Sequence, residues 1–195
     1  MNYFWWFITD FGDTSVTLPM AGVVFIFLVI RNRLCALVWL IAAGNCAATI
    51  AALKILLRTC HVLLFSEAPF SPSGHMAMST LVYGGVTLIT ARNCPLWGKA
   101  GLYLLTVLLL LGIGASRIAL ESHTIWEVAA GLMLGTGFTA LFRRSLPHIP
   151  EQNTIPWQML LICIDIIGLM HGTKWPIEAS LRSFPLNELA FLNCR

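Results

Sequence analysis

The stretch AGLYLLTVLLLLGIGAS, residues 100–116, contains no Asp, Glu, Lys, Arg or His. Four further stretches share this property: Thr14–Ile30, Leu34–Leu53, Met76–Ala91 and Val128–Phe142. A sixth apolar stretch, Ile155–Met170, is interrupted by Asp165. A helix needs roughly 17–25 mostly apolar residues to cross a bilayer. We therefore predict an all-α, polytopic membrane bundle of about six transmembrane helices, in which flanking residues extend the shorter stretches.

The composition supports a membrane protein. Of the 195 residues, 57% are hydrophobic and 11% are charged, with a mean hydropathy of +0.79. An average soluble domain carries about 25% charged residues, so an ordinary soluble enzyme, a coiled coil and a disordered chain are excluded. A net charge of +3 without a basic run predicts no nucleic-acid partner. We predict one membrane-embedded domain over residues 1–195, with a tail from 172 and no cleavable signal peptide; the sequence does not determine the oligomeric state.

Basic residues predict the orientation in the membrane. Three short loops hold six of them: Arg31, Arg33, Arg92, Lys99, Arg143 and Arg144. Such loops tend to remain cytoplasmic. We therefore expect the amino terminus and the loops at 59–72 and 116–124 on the extracytoplasmic side of a bacterial plasma (inner) membrane. The carboxyl-terminal tail joins that side if the last helix crosses fully, which Asp165 leaves open.

Three polar clusters are expected at helix ends on the extracytoplasmic side. They are Lys54 with Arg58, the run Ser71-Pro72-Ser73-Gly74-His75, and Ser116-Arg117 followed by His123 and Glu127. Polar residues are costly in a bilayer, so their clustering indicates function. Three cations gathered at one membrane boundary indicate a bound anion.

A phosphate group fits these clusters. A serine cap, a tolerated proline and the N–H groups of a helix start form an anion site, and Gly74 permits close approach to the backbone. Lys54 and Arg117 would add full charges. One histidine could then attack phosphorus as the nucleophile, and the other could protonate the leaving group.

His123 and Glu127 are four residues apart, so on a helix the carboxylate can orient the imidazole. Glu127 also fits a capping box with Thr124, in which it would bond back to the helix start. Both interpretations are open from the sequence. No carboxylate lies near His75 in the sequence, which suits a general acid.

Two patterns in the sequence resemble the second and third motifs of the type-2 phosphatidic acid phosphatase superfamily. The first is the run Pro72-Ser73-Gly74-His75. The second is Ser116-Arg117 followed by five residues, His123, three residues and an acid. These integral membrane lipid phosphate phosphatases are related to vanadium haloperoxidases, and the resemblance covers roughly Lys54–Gly131. It implies that His123 is the nucleophile that forms a phosphohistidine and that His75 is the acid. It also implies that the phosphoryl oxygens are bound by Ser73, Gly74 and Arg117, that Lys54 matches the lysine of the first motif, and that no metal is needed.

Two positions depart from the family pattern. Glu127 stands where the family usually has Asp. The first motif, Lys, six residues, Arg-Pro, is incomplete, because His61 and Val62 occupy the Arg and Pro positions. Our hypothesis is that Arg58 replaces the missing guanidinium; the alternative is that Lys54 and Arg58 anchor the helix to lipid headgroups.

The sequence thus predicts a metal-independent phosphatase that hydrolyses a phosphate mono- or diphosphate ester of a lipid at the extracytoplasmic face. Alternatives are a lipid phosphotransferase with the same site, and a non-catalytic protein that binds or transports anionic lipid.

Other residues receive structural interpretations. The small residues Gly131, Gly135 and Thr136-Gly137 have the spacing of close helix packing. Glu121 is expected in a solvated loop, and Asp165 either marks function or lies near an interface. Three histidines are expected at surfaces or interfaces: His61, His148 and His171. Three cysteines are expected to act as small hydrophobic residues: Cys35, Cys46 and Cys163.

Overall fold

The computed structural model describes residues 2–60, 69–146 and 156–175. The helices are α1 Asn2–Asp10, α2 Thr14–Arg31, α3 Arg33–Thr59, α4 Gly74–Ala91, α5 Leu96–Ala119, α6 Ile125–Arg143 and α7 Trp157–Met170. These ranges contain no strand, and the predicted all-α membrane bundle is confirmed. Within the described residues, four helical segments are long and apolar enough to span a membrane: α1 together with α2, then α3, α5 and α6; α7 is a shorter apolar helix.

Helix α4 lies at the centre of the bundle. It packs most extensively on α6 and also contacts α2, α3 and α5. Thirteen of its residues are buried, including the hydroxyl residues Ser79, Thr80, Thr87 and Thr90. The Thr80 hydroxyl, for example, donates to the carbonyl of Met76. Helix α4 can carry these polar residues because neighbouring helices, and not lipid, surround it.

Close approach of α4 and α6 depends on two glycines. A Cβ on Gly131 would lie 2.4 Å from the carbonyl oxygen of Ser73, and one on Gly135 would lie 2.5 Å from that of Ala77. The predicted packing role is confirmed for both. It is wrong for Gly137, because nothing lies within 4 Å of the Cβ that would be added there.

Polar side chains begin four of the helices. Asp13, Asn32, Ser73 and Thr124 cap α2, α3, α4 and α6, each accepting a hydrogen bond from a backbone N–H of the first turn. These caps satisfy donors that have no partner inside the helix. The charge-free stretches therefore locate the helices, and the caps set where they start.

The end of the bundle opposite the polar clusters holds the loops predicted to be cytoplasmic. There Arg92, which follows α4, donates through Nη1 to the carbonyl of Leu146, beyond the end of α6. The thiol of Cys35, at the start of α3, donates to the carbonyl of Ser145 at 3.2 Å. These contacts bring the ends of α4 and α6 close to the start of α3. The basic residues of the loops at these helix ends therefore lie at the same end of the bundle.

Helix α7 runs back to the end of the bundle where α2 begins. Beyond its last residue, the carbonyl of Thr173 accepts a hydrogen bond from the Ser15 hydroxyl at 2.7 Å. The chain after α7 therefore starts on the side of the polar clusters. Asp165 is exposed on α7; His61, His148 and the tail beyond residue 175 lie outside the described residues.

Candidate active site

The loop that precedes α4 is held against the start of α6. Ser73 is fully buried, and its hydroxyl accepts from the N–H of Met76 at 3.4 Å. Its own N–H donates to the carbonyl of Glu127 at 3.0 Å. The N–H of Ser71 donates to Oε1 of Glu127 at 2.6 Å. The N-terminus of α4, which favours anions because of its N–H groups and dipole, is thereby fixed beside the Glu127 carboxylate.

His123 and Glu127 form the predicted pair. Nδ1 of His123 lies 3.1 Å from Oε2 of Glu127, and the two residues are 7% and 8% exposed. The carboxylate accepts from Nδ1–H, and the geometry of the ring then directs Nε2 away from Glu127. Glu127 thus fixes the tautomer and the orientation of the imidazole.

The capping box at the start of α6 is present as well. Oε2 of Glu127 accepts from the N–H of Thr124 at 2.9 Å, and the N–H of Glu127 donates to the Thr124 hydroxyl at 3.3 Å. The contacts expected from both interpretations of Glu127 are therefore present, because a single carboxylate oxygen, Oε2, contacts both the helix cap and the histidine.

Arg117 lies in the last turn of α5 and is 6% exposed. Its carbonyl accepts from the N–H groups of Ser122 and His123, at 3.0 and 3.2 Å. This tight turn brings His123 back to the end of α5. Nη1 of Arg117 lies 3.5 Å from the Thr9 hydroxyl of α1. A buried arginine whose backbone also positions the nucleophile candidate is suited to binding phosphoryl oxygens.

Lys54 reaches the start of α4. Its Nζ would lie 3.9 Å from a Cβ added to Gly74, so the ammonium group lies beside the N–H groups of that helix. The added Cβ would make only ordinary contacts, so glycine is not sterically required there. Arg58 lies one turn further along α3 and is exposed; its part in binding phosphate stays a prediction.

His75 is paired with a residue that the sequence did not indicate. Its Nε2 lies 3.5 Å from Oδ2 of Asp13. Asp13 precedes α2, and its Oδ1 accepts from the N–H of Ser15 at 2.9 Å. The available signal was an acid in an amino-terminal segment without bases, but the sequence offers no way to know which residue it approaches.

Several residues with a predicted structural role lie outside this cluster. Glu121 is exposed, as expected of a solvated loop residue, and has a φ of 52°. His171 is half-buried, with its ring against Phe7 and Phe11 and its Nε2 3.0 Å from the carbonyl oxygen of Phe7. It therefore joins the end of α7 to α1. Three cysteines are buried and free, namely Cys35, Cys46 and Cys163.

The fold and the cluster define a membrane-embedded helical protein with a buried, cationic, two-histidine site. The PAP2 superfamily pattern matches residues 58–149. A relative, an uncharacterized 22.5 kDa protein in the cps region of Klebsiella pneumoniae, is 32% identical over 185 residues, which are 91% of this chain and 88% of the relative. No solved structure matches the chain.

The chain therefore belongs to the PAP2 superfamily, which confirms the predicted resemblance. Members of the superfamily are phosphatases, so the chain is, in general terms, a phosphoric ester hydrolase. The match includes Pro72–His75 and Ser116–Glu127, and it begins after Lys54.

Proposed function

We propose that this protein is a metal-independent lipid phosphate phosphatase that hydrolyses a phosphate mono- or diphosphate ester through a phosphohistidine. The main support for this proposal is the buried His123–Glu127 pair, in which Nδ1 of His123 lies 3.1 Å from the carboxylate. The backbone N–H of His123 also donates to the carbonyl of Arg117, which fixes the turn. A histidine whose Nδ1 is held in this way presents Nε2 as the nucleophile.

The reaction takes place in two steps. The phosphoryl group is bound by the N–H groups at the start of α4, by Ser73 and Gly74, and by the charges of Lys54 and Arg117. Nε2 of His123 forms a bond to phosphorus as the bond to the lipid oxygen breaks, and His75 protonates that oxygen. Water then attacks the phosphohistidine, with His75 as the base, and releases inorganic phosphate.

The surroundings of the site support a lipid substrate. Helix α5 carries Arg117 in its last turn, and on its outer face Leu104, Leu108 and Leu111 are more than half exposed. Such a surface is suited to contact with acyl chains. A lipid in the same bilayer can keep its tail beside these helices while its phosphate enters the polar end of the bundle.

Two observations support an extracytoplasmic site in the plasma membrane. The basic loops lie at the opposite end of the bundle, as the positive-inside tendency requires. Cys60, the residue after α3, is disulfide-bonded, and disulfides persist mainly in oxidising compartments. Cys60 follows the helix that carries Lys54, so it lies at the same end as the site.

The test is release of phosphate by purified protein from a panel of lipids with different headgroups and tails. His123→Ala should lose at least about 10³-fold in kcat, and His75→Ala should lose activity mainly on lipid substrates. Glu121→Gln is the control, because this exposed carboxylate lies outside the cluster. A labelled phosphoryl group should be found on His123 under alkaline quench. Unimpaired hydrolysis by His123→Ala would exclude the mechanism.

The same assay distinguishes the alternatives. Transfer of the label to a second lipid instead of water would identify a phosphotransferase. Lipid binding without any release across the panel would identify a non-catalytic binding or transport protein.

A further inference from the structure

The segment from Thr9 to Asp13, which comprises the end of α1 and the residues before α2, forms one wall of the candidate site. Thr9 lies against the Arg117 guanidinium, and Asp13 lies against His75. The carbonyl of Phe11 accepts from the Tyr83 hydroxyl at 2.7 Å. A Cβ on Gly12 would lie 2.8 Å from Cγ2 of Ile113, so the segment is packed tightly onto α4 and α5. All of it precedes the part of the chain that the superfamily pattern matches.

We propose that Asp13 is a positioning residue for His75, which it holds by Nε2 so that Nδ1 delivers the proton to the leaving group. This inference rests on the proposed function, in which His75 is the general acid. It gives a carboxylate that lies outside residues 58–149 a role in the protonation of the leaving group.

The Asp13 carboxylate is anchored independently of His75. Oδ1 caps α2 by accepting from the N–H of Ser15, and the backbone carbonyl accepts from the Thr17 hydroxyl at 3.0 Å. The second oxygen, Oδ2, is the one that lies 3.5 Å from Nε2 of His75. Because the helix cap fixes one oxygen, the other can hold the imidazole in one orientation.

The pairing determines how the proton moves. As Nε2 of His123 forms the N–P bond, the P–O bond to the lipid breaks and its electron pair remains on the oxygen. That oxygen takes the proton from Nδ1 of His75, which becomes a neutral ring that keeps Nε2–H directed at Asp13. A carboxylate beside the ring favours its protonated form, which is the form that a general acid needs before each turnover.

The experiment compares two leaving groups in first-turnover measurements. An alkyl phosphate such as phosphatidic acid needs a proton on the departing oxygen, whereas p-nitrophenyl phosphate releases a stable phenolate. Asp13→Asn keeps an oxygen for the α2 cap but removes the charge. We expect its rate on the lipid to fall about 10- to 100-fold, with the rate on p-nitrophenyl phosphate within about twofold of wild type. His75→Ala should show the same selective loss.

Matched variants separate this role from a structural one. Glu121→Gln changes an exposed carboxylate outside the site and should leave the ratio of the two rates unchanged, while Asp13→Ser supplies a second neutral cap. Equal losses on both substrates, or none, in both Asp13 variants would overturn the inference. Activity retained by His123→Ala, or no release by wild type, would instead reject the proposed function.

Discussion

At the scale of single residues, Glu127 joins two parts of the site. Oε2 contacts His123 and Thr124, while Oε1 accepts from the N–H of Ser71 on the loop before α4. Glutamate has one more methylene than the aspartate usual in the family. The longer side chain lets one carboxylate orient the nucleophile and hold the phosphate-binding loop.

Two substitutions at position 127 should separate these contacts. Glu127→Gln keeps the length but loses the charge that orients His123, so kcat should fall about 100-fold. Glu127→Asp keeps the charge but is too short to serve both sides. Its KM should rise about fivefold to tenfold, because one net hydrogen bond is worth about 1–1.5 kcal/mol.

Steady-state kinetics and thermal unfolding in detergent provide the measurements. Thr124→Ala is the control, because it removes the cap alone and should cost about 1 kcal/mol of stability with little change in kcat. If Glu127→Gln lost only stability, Glu127 would be a cap and nothing more.

The two cations of α3 lead to another prediction at this scale. Lys54→Ala should raise KM for a lipid phosphate about 10- to 100-fold, because its ammonium lies beside the α4 N-terminus and a charged hydrogen bond contributes about 1.5–3 kcal/mol. Arg58→Ala should raise KM less, since its exposed charge is more strongly screened. Unchanged kinetics in Arg58→Ala would make that residue a headgroup anchor.

At the scale of helices, the packing of α4 on α6 sets the geometry of the site. Gly131 faces the carbonyl of Ser73, the residue that caps α4 and whose N–H bonds to the carbonyl of Glu127. A change in the spacing of these two helices therefore moves the phosphate-binding loop relative to the His123–Glu127 pair.

Alanine substitutions along α6 test this dependence. Gly131→Ala and Gly135→Ala should each destabilise the protein by about 1–3 kcal/mol, because the added methyl group overlaps a backbone carbonyl. Gly131→Ala should also lower kcat/KM. Gly137→Ala should be neutral or stabilising by about 0.5–1 kcal/mol, since alanine favours a helix and meets nothing there. Thermal unfolding in detergent measures all three; equal effects would contradict the close-packing role.

At the scale of the whole molecule, the helices place all described site residues at one end and the basic loops at the other. The orientation can be tested with two cysteines introduced one at a time, in a Cys94→Ser background that removes a free, half-buried thiol. Glu121→Cys should react with a membrane-impermeant maleimide in intact cells, whereas Arg144→Cys should react only after permeabilisation. The reverse pattern would place the site in the cytoplasm and contradict the proposed location.

The sequence by itself determined the helices and the motif residues. Charge-free stretches mark segments that satisfy their backbone hydrogen bonds internally in a membrane. His123 and Glu127 could be paired because four residues on a helix correspond to about one turn. The cap residues and the close-packing glycines at 131 and 135 follow from equally local rules, although Gly137 shows that spacing alone does not identify the contacting face.

Only the tertiary structure decided which segments meet. Asp13 with His75, Thr9 with Arg117, and Ser71 with Glu127 are contacts between residues far apart in the chain. Each depends on how the helices pack and, for Thr9 and Asp13, on where the segment from Thr9 to Asp13 lies. The sequence could name the residues of the phosphate site, but the partner of the acid histidine became visible only once the bundle was assembled.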